Sequence, residues 1–249
     1  MYLTQPIILA GGKGTRMNQG KASGVPKVLF KIGNKPMICY ILETFRYMEL
    51  IKPIIVVGYK AQSVIDELGS NYLYAVQTKR LGTGHAVKIG LKKAYNSAKD
   101  IFIVNGDDSA FYSQNMLKGV FKLHQQNNTI ITMLIVKIPD ASDYGRIIRN
   151  LEGNVIGIVE KSDLIEEQKK IDEVNCGAYV INAEWLKANI GKIKKSYKGG
   201  KEYPITDLIK LAVLQNQKIS GVVIDRKEWV GVNNLEQLSE ANRLITDNK

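Results

Sequence analysis

Little in this sequence could form a covalent or metal-bound framework. Its 249 residues include two cysteines, Cys39 and Cys176, and two histidines, His85 and His124. Two thiols in so long a chain make no disulfide scaffold and fit a reducing compartment. With two histidines beside them, no Cys/His metal cluster can be assembled. Long apolar runs are also missing. The longest, Thr129 to Ile138, is too short to span a bilayer and carries Lys137. The start, Met1-Tyr2-Leu3-Thr4-Gln5-Pro6, lacks the basic opening and apolar core of a signal peptide. A cytoplasmic protein outside the membrane is therefore expected. Glycine (22) and proline (6) are not in excess and 24% of residues are charged, which excludes fibrous and disordered classes. A hydrophobic content of 45% over this length supports one large domain, residues 1–249, with a real core.

What the chain has in surplus is positive charge. Thirty-five basic against 24 acidic residues give a net charge of +11. Such a balance serves either nucleic acid or small polyanions such as triphosphates and sugar phosphates. The lysines are scattered, with small clusters at Lys169-Lys170 and Lys192-Lys194-Lys195. No basic helix, RNP aromatic pair or helix-turn-helix spacing accompanies them. Nucleic acid is therefore the weaker reading, and much of the charge reads as solvated surface. The oligomeric state cannot be read from the sequence.

Short apolar runs at Ile7–Leu9, Ile54–Val57, Tyr74–Val76 and Ile101–Val104 read as buried strands. Helical patterns follow them at roughly 36–48, 61–68, 84–95 and 114–126. This alternation predicts an α/β fold, a doubly wound and mostly parallel twisted sheet covered on both faces. From about residue 129 the pattern changes. Strands at 129–138, 145–149, 155–160 and 174–181 follow one another closely, and helices return near 182–190, 204–215 and 233–246. An antiparallel extension or a second lobe on the same sheet is expected there, without a domain boundary or internal repeat.

The stretch Ile7-Ile8-Leu9-Ala10-Gly11-Gly12-Lys13-Gly14-Thr15-Arg16-Met17 is the most informative. Glycines directly after the first strand let backbone N–H groups converge on an anion, at the sheet end where open α/β folds bind ligands. No Gly-Lys-Ser/Thr closes a Walker A loop, and Met17 breaks G-x-G-x-x-G. A glycine-rich turn without a ligand is the plain alternative. Arg16 and Lys27 bracket the loop with a guanidinium and an ammonium, as transfer from a triphosphate needs.

This loop, followed by Pro26-Lys27-Val28-Leu29, resembles the signature of the sugar-phosphate nucleotidyltransferases. Gln77 with Leu81-Gly82-Thr83-Gly84-His85-Ala86 resembles the N-acetylglucosamine-1-phosphate uridylyltransferase branch. Further matches come in order: Gly106-Asp107, Tyr144-Gly145-Arg146-Ile147, Gly157-Ile158-Val159-Glu160, Asn175-x-Gly177, Tyr203-x-Ile205-Thr206-Asp207 and Gly231-Val232-Asn233-Asn234. The resemblance covers residues 7 to about 240. It implies a Rossmann-like nucleotidyltransferase fold with a nucleotide-binding lobe at about 1–128 and a smaller antiparallel sugar-side lobe at about 129–249.

The implied reaction is attack of a sugar 1-phosphate oxygen on the α-phosphorus of UTP, releasing pyrophosphate. The nucleophile is already anionic, so no protein base is required. The protein must align and neutralise two polyanions. By resemblance, Arg16 and Lys27 are catalytic. Leu9, Ala10, Gly11, Gly12, Gly14, Gln77, Gly82, Thr83, Asn105 and Gly106 bind the nucleotide, and Gly145, Glu160 and Asn175 bind the sugar. Mg²⁺ is the implied cofactor, held by Asp107 and Asn233. The residues themselves leave plainer alternatives. Asp107 suits a turn or cap, with Asp108 as its confounder, and Asn233 suits an N-cap unless Asn234 takes that task. Gln77 could be a surface amide, and Glu160 half of a surface ion pair with Lys161. His85 reads as structural or near phosphate, Cys176 as inert core, and Trp185 and Trp229 as packing.

Four features depart from the resemblance. Asn18 to Val25 is longer than the usual loop and could act as a flap. Asn105 stands where the branch tends to carry Tyr, Asp108 to Tyr112 replaces a residue-Pro-Leu pattern, and Cys176 replaces Thr. The last three fall near the implied sugar. No hexapeptide repeat occurs before Lys249, so acetyl transfer is not expected of this chain. Two alternatives stand beside uridylyl transfer to N-acetylglucosamine 1-phosphate. One is the same chemistry on glucose 1-phosphate with UTP or dTTP. The other is a catalytically silent regulatory subunit.

Overall fold

The computed structural model describes residues 3–18, 24–142, 144–195 and 202–247. In chain order the strands and helices are β1 (Thr4–Ala10), β2 (Lys31–Ile32), β3 (Lys35–Pro36), α1 (Met37–Arg46), β4 (Ile54–Val57), α2 (Ala61–Leu68), β5 (Leu73–Val76), α3 (Thr83–Leu91), β6 (Asp100–Asn105) and α4 (Gln114–Gln126). They continue with β7 (Ile131–Lys137), β8 (Arg146–Arg149), β9 (Val155–Val159), α5 (Glu166–Lys169), β10 (Glu173–Asn182), α6 (Ala183–Asn189), α7 (Asp207–Leu214), β11 (Ile219–Ile224) and α8 (Leu235–Asp247).

One twisted sheet runs β5-β4-β1-β6-β10-β7-β11. The pairs β5–β4, β4–β1 and β1–β6 are parallel. Strand β10 inserts antiparallel between β6 and β7, and β11 closes the far edge parallel to β7. The β8–β9 hairpin hangs from β10 through Val174 opposite Arg146. The antiparallel portion expected after residue 129 is therefore an extension of the same sheet. Strand β11 has no counterpart in the sequence reading. Ser220 and Gly221 weaken its strand signal, and Val223 is exposed at the sheet edge.

Period-two alternation explains why the sheet is covered on both faces. Ile8, Ala10, Ile55, Val57, Phe102 and Val104 point to one side and pack with α1, α2 and α4. Ile7, Ile54, Val56, Ile101 and Ile103 point to the other and pack with α3, α6 and α7. A small third core of Met17, Ile32, Met37, Val232 and Ala241 fastens α8 beside β2. The C-terminal helix thus returns to the N-terminal half.

Two local features build the cleft at the carboxyl ends of β1 and β6, where the chain leaves β1 for β4 on one side and β6 on the other. Such a switch point opens a crevice. First, β10 breaks register between Asn175 and Tyr179. Gly177 lies in the left-handed region at φ +69°, and a Cβ there would come within 2.6 Å of Asn105 Nδ2. Only glycine lets β10 pass so close to the end of β6. Second, Ser113 caps α4 by accepting from Met116 N at 3.2 Å. It also bonds both carboxylate oxygens of Glu228 at 2.7 Å. That grip fixes the segment leading to Trp229.

Candidate active site

The glycine loop after β1 is folded back on itself. Asn18 Nδ2 donates to the carbonyls of Lys13 (2.8 Å) and Gly14 (3.0 Å), and Lys27 N donates to Gly12 O at 3.2 Å. Tyr59 N takes the Gly11 carbonyl at 3.2 Å, and Gly106 N takes that of Leu9 at 3.0 Å. With these carbonyls engaged elsewhere in the fold, Gly11, Gly12 and Gly14 form a pinned loop after Leu9 and Ala10 at the end of β1, and of these five Leu9 lines the neighbouring cavity. The Asn18 side chain also bonds both N and O of Val25, closing the ends of the long stretch. Residues 19–23, where a flap is expected, lie outside the described residues.

Lys27 is the hub of this side. Its ammonium pairs with Asp107 Oδ2 and donates to Asn233 Oδ1 at 2.9 Å. Burial works against its charge, but Asp107 and Asp108 outweigh burial and the opposing charge of Arg16, holding Lys27 above the usual lysine range. Asp108 is pushed up to about 7, first by burial and then by Asp107. The structure thus brings Lys27, expected as catalytic, together with Asp107 and Asn233, expected at the cation, across more than two hundred residues of chain, and Asn233 takes part without capping α8. Asn234 does that, accepting from Gln237 N at 2.8 Å.

The two oxygens of Asp107 and Asn233 converge on a single cation, the Lys27 ammonium. Hard oxygen donors meeting at one positive charge also suit a divalent ion that keeps further positions for phosphate. Among the described residues no cage of three or more His, Cys, Asp and Glu side chains exists, so substrate oxygens would have to complete such a site.

Beside this cluster lies a cavity of about 280 Å³. Arg16, Leu9, Thr83, Asn105, Gly145, Glu160, Asn175 and Asn233 from the sequence reading line it. Its polar groups are already arranged. Asn175 donates to the Tyr179 hydroxyl at 2.6 Å and accepts from Gly177 N at 3.0 Å. Thr206 Oγ1 donates to Glu160 Oε1 at 3.0 Å, and Asn105 Nδ2 donates to Asp108 at 3.3 Å. Glu160 is therefore tied to Thr206 in the cavity wall. Cys176 also lines the cavity, but burial first and Asp108 second hold its thiol well above its usual range. Burial keeps the Tyr179 hydroxyl protonated in the same way. Neither group offers a nucleophile at neutral pH.

At the end of β5 stands Gln77, 6% exposed and so no surface amide. Its Nε2 donates to Gly82 O at 3.1 Å and meets His85 Nδ1 at 3.0 Å. A carbonyl can only accept, which fixes the amide orientation and requires His85 Nδ1 to be unprotonated. Burial, then Lys88 and Lys92, lower the His85 pKa and favour that neutral form. Both amide protons of Gln77 are thus engaged, leaving Oε1 as its acceptor near Gly11. Gly82 and Thr83 are zipped to the chain before α7: Gly84 N donates to Tyr203 O (2.8 Å), Tyr203 N to Leu81 O (2.7 Å) and Ile205 N to Thr83 Oγ1 (3.0 Å).

Sequence reasoning gave no role to Tyr144, Tyr179 or Thr206, and treated Trp229 only as packing. Tyr144 and Trp229 stack edge-to-face at 5.1 Å and form a wall of the cavity. Tyr144 and Thr206 fall inside the matched motifs, which was the available signal. Tyr179 gave none, since without the β10 bulge it reads as an ordinary strand residue. No described helix is long and apolar enough to cross a membrane.

Comparison with known proteins fits this geometry. The family model described as "Nucleotidyl transferase" matches residues 5–248. "Bifunctional protein GlmU" of Heliobacterium modesticaldum is 34% identical over 99% of this chain and 53% of its own length. The protein of the same name from Clostridioides difficile is 34% identical over 96% of this chain and 51% of its own. The chain therefore spans about half the length of these relatives. A Bacillus anthracis protein assigned as a glucose-1-phosphate thymidylyltransferase, crystallised with sucrose, shares the fold. Its TM-score is 0.79 at 24% identity, over 98% of this chain and 96% of that one. With a pinned glycine loop, a Lys–Asp–Asn cluster and a family match across nearly every residue, the chain belongs to the nucleotidyl transferase family.

Proposed function

We propose that this chain transfers a uridylyl group from UTP to N-acetylglucosamine 1-phosphate, giving UDP-N-acetylglucosamine and pyrophosphate. The observation that carries this reading is the convergence of Lys27, Asp107 and Asn233 at the mouth of a polar cavity with Arg16 in its wall. That arrangement suits two polyanions meeting end to end. In this reading Asp107 and Asn233 hold Mg²⁺, which when bound neutralises phosphate oxygens and stabilises charge in the transition state. Arg16 and Lys27 orient the triphosphate against the glycine loop, and Lys27 exchanges Asp107 and Asn233 for phosphate oxygens. Gln77 and Gly82 read the base, with Gln77 Oε1 accepting the uracil imide proton. Gly145, Glu160 and Asn175 hold the sugar. Residues of about 1–128 supply the nucleotide side and about 129–249 the sugar side, with Asn233 crossing over. No side chain needs to act as base, because the attacking phosphate oxygen is already ionised.

A second reading keeps the chemistry and changes the pair, to glucose 1-phosphate with UTP or dTTP. It is favoured by Asn105, Asp108 and Cys176 in the cavity wall, where the branch resembled carries other residues. Pyrophosphate release across a grid of triphosphates and sugar 1-phosphates, with and without Mg²⁺, decides between them. Dominance of UTP with N-acetylglucosamine 1-phosphate supports the first reading and another dominant pair the second. Silence across the grid would remove both.

A further inference from the structure

The loop between Trp229 and α8 carries Asn233 toward Lys27, and its shape is held by one side chain that reaches both sides of the cleft. Gln237, in the first turn of α8, accepts from Asn233 N at 2.7 Å through Oε1 and donates to the Tyr144 hydroxyl at 3.3 Å through Nε2. A backbone N–H can only donate, so the amide orientation is unambiguous and Nε2 must face Tyr144. Tyr144 in turn packs edge-to-face on Trp229 and lines the cavity. The same hydroxyl seals the loop from above: a Cβ at Gly231 would come within 2.8 Å of it and 3.1 Å of the Trp229 ring. Beyond Asn233 the line of contacts continues through Lys27 to Asp107.

We propose that Gln237 is a positioning residue that couples the cation site at Asp107 and Asn233 to the aromatic wall of the sugar cavity. It touches no reacting atom. It fixes the peptide of Asn233, and so the direction of that amide oxygen, while setting the height of the Tyr144 ring over the cavity. Filling one side then sharpens the other, because both share a single amide. The coupling rests on the proposed reading of Asp107 and Asn233 as cation ligands.

The test compares Gln237→Leu, Gln237→Glu and Asn234→Ala in a Trp185→Phe background, where Trp229 is the only tryptophan. Leu fills similar space without either bond. Glu keeps an acceptor for Asn233 N and can accept from the Tyr144 hydroxyl. Asn234→Ala removes the cap bond from Gln237 N and leaves both side-chain bonds of Gln237 in place. Trp229 emission is followed as Mn²⁺ is titrated, and KM values are then measured for each substrate. Gln237→Leu is expected to raise half-saturating Mn²⁺ about tenfold, as loss of an orienting outer partner does. It should also raise the KM of the sugar phosphate about fivefold while leaving that of the triphosphate within about twofold. Gln237→Glu should return both constants to within about threefold of the parent. Asn234→Ala should lower the melting temperature and move neither constant. If Gln237→Leu behaves like Asn234→Ala, losing stability alone, the coupling is overturned. Movement of only one constant overturns it too. A parent without saturable Mn²⁺ response would instead fault the cation reading of Asp107 and Asn233, and the coupling would fall with it.

Discussion

On the glycine-loop side of the cleft, the polar groups are held by opposite charge: Lys27 against Asp107, with Asn233 as third member. On the aromatic side they are held by hydrogen bonds in which no cation takes part, Asn175 to Tyr179 and Thr206 to Glu160, behind a wall of Tyr144 and Trp229. A charge-held cluster can exchange one cation for another as a polyanion arrives, whereas a hydrogen-bonded wall keeps its shape. The first is built to respond and the second to select. Variants on the two sides should therefore fail differently.

The largest loss is expected for Asp107→Ala. Turnover should fall on the order of a thousandfold, as loss of a principal charge-stabilising group does, and the melting temperature should fall as well, because the mostly buried Lys27 loses its main counter-charge. A modest loss with an unchanged Mg²⁺ requirement would instead place the cation elsewhere. Lys27→Met should cost roughly a hundredfold in turnover yet tighten Mn²⁺ binding measured without nucleotide, since the ammonium no longer competes for Asp107 and Asn233. Weaker Mn²⁺ binding in that variant would break the cation-exchange picture.

The two sides also differed in how far the sequence disclosed them. The glycine loop, Arg16, Lys27 and Asp107 follow strands that announce themselves as apolar runs, so their place at the sheet end was legible. Most of the fold was legible for the same reason. Edge strand β11 was not, because its pattern is weak and its pairing with β7 is non-local. The aromatic wall draws on five separated segments. Tyr179 enters only because the β10 bulge at Gly177 turns Asn175 onto it, and Trp229 only because Glu228 is gripped by Ser113. The first contact is local but hidden by the bulge, and the second spans more than a hundred residues, which no local pattern encodes. His85 was visible but its partner was not, since the bond to Gln77 depends on the turn at Gly82.

On the aromatic side, Glu160→Gln and Thr206→Val should act through binding. Each is expected to raise the KM of the sugar phosphate about tenfold, the worth of a hydrogen bond to a charged group, with kcat changed much less. The triphosphate KM serves as the internal control. A loss confined to kcat would mean that this wall also responds to charge, and the contrast between the two sides would dissolve.

The smallest expected effect concerns His85, which lies between nucleotide recognition and plain packing. Its Nδ1 must be unprotonated to accept from Gln77, and its pKa lies below the ordinary histidine value of 6.5. The neutral ring is therefore secure at neutral pH. As pH falls, the unfolded chain takes up this proton first, so the stability contributed by neutral His85 is present above pH 6.5 and is lost as pH drops through the lower folded value. A proton on Nδ1 also faces the Gln77 amide donors and should push Gln77 Oε1 out of register with the base. The nucleotide KM should hold steady from about pH 8 to about pH 6.5 and rise as the pH is taken further down through the lower folded value. UTP loses charge over the same interval, so the reading lies in the difference from His85→Gln, whose amide does not titrate. That variant should show a flatter acid limb. Identical limbs would assign the whole acid response to the nucleotide and leave His85 a packing residue.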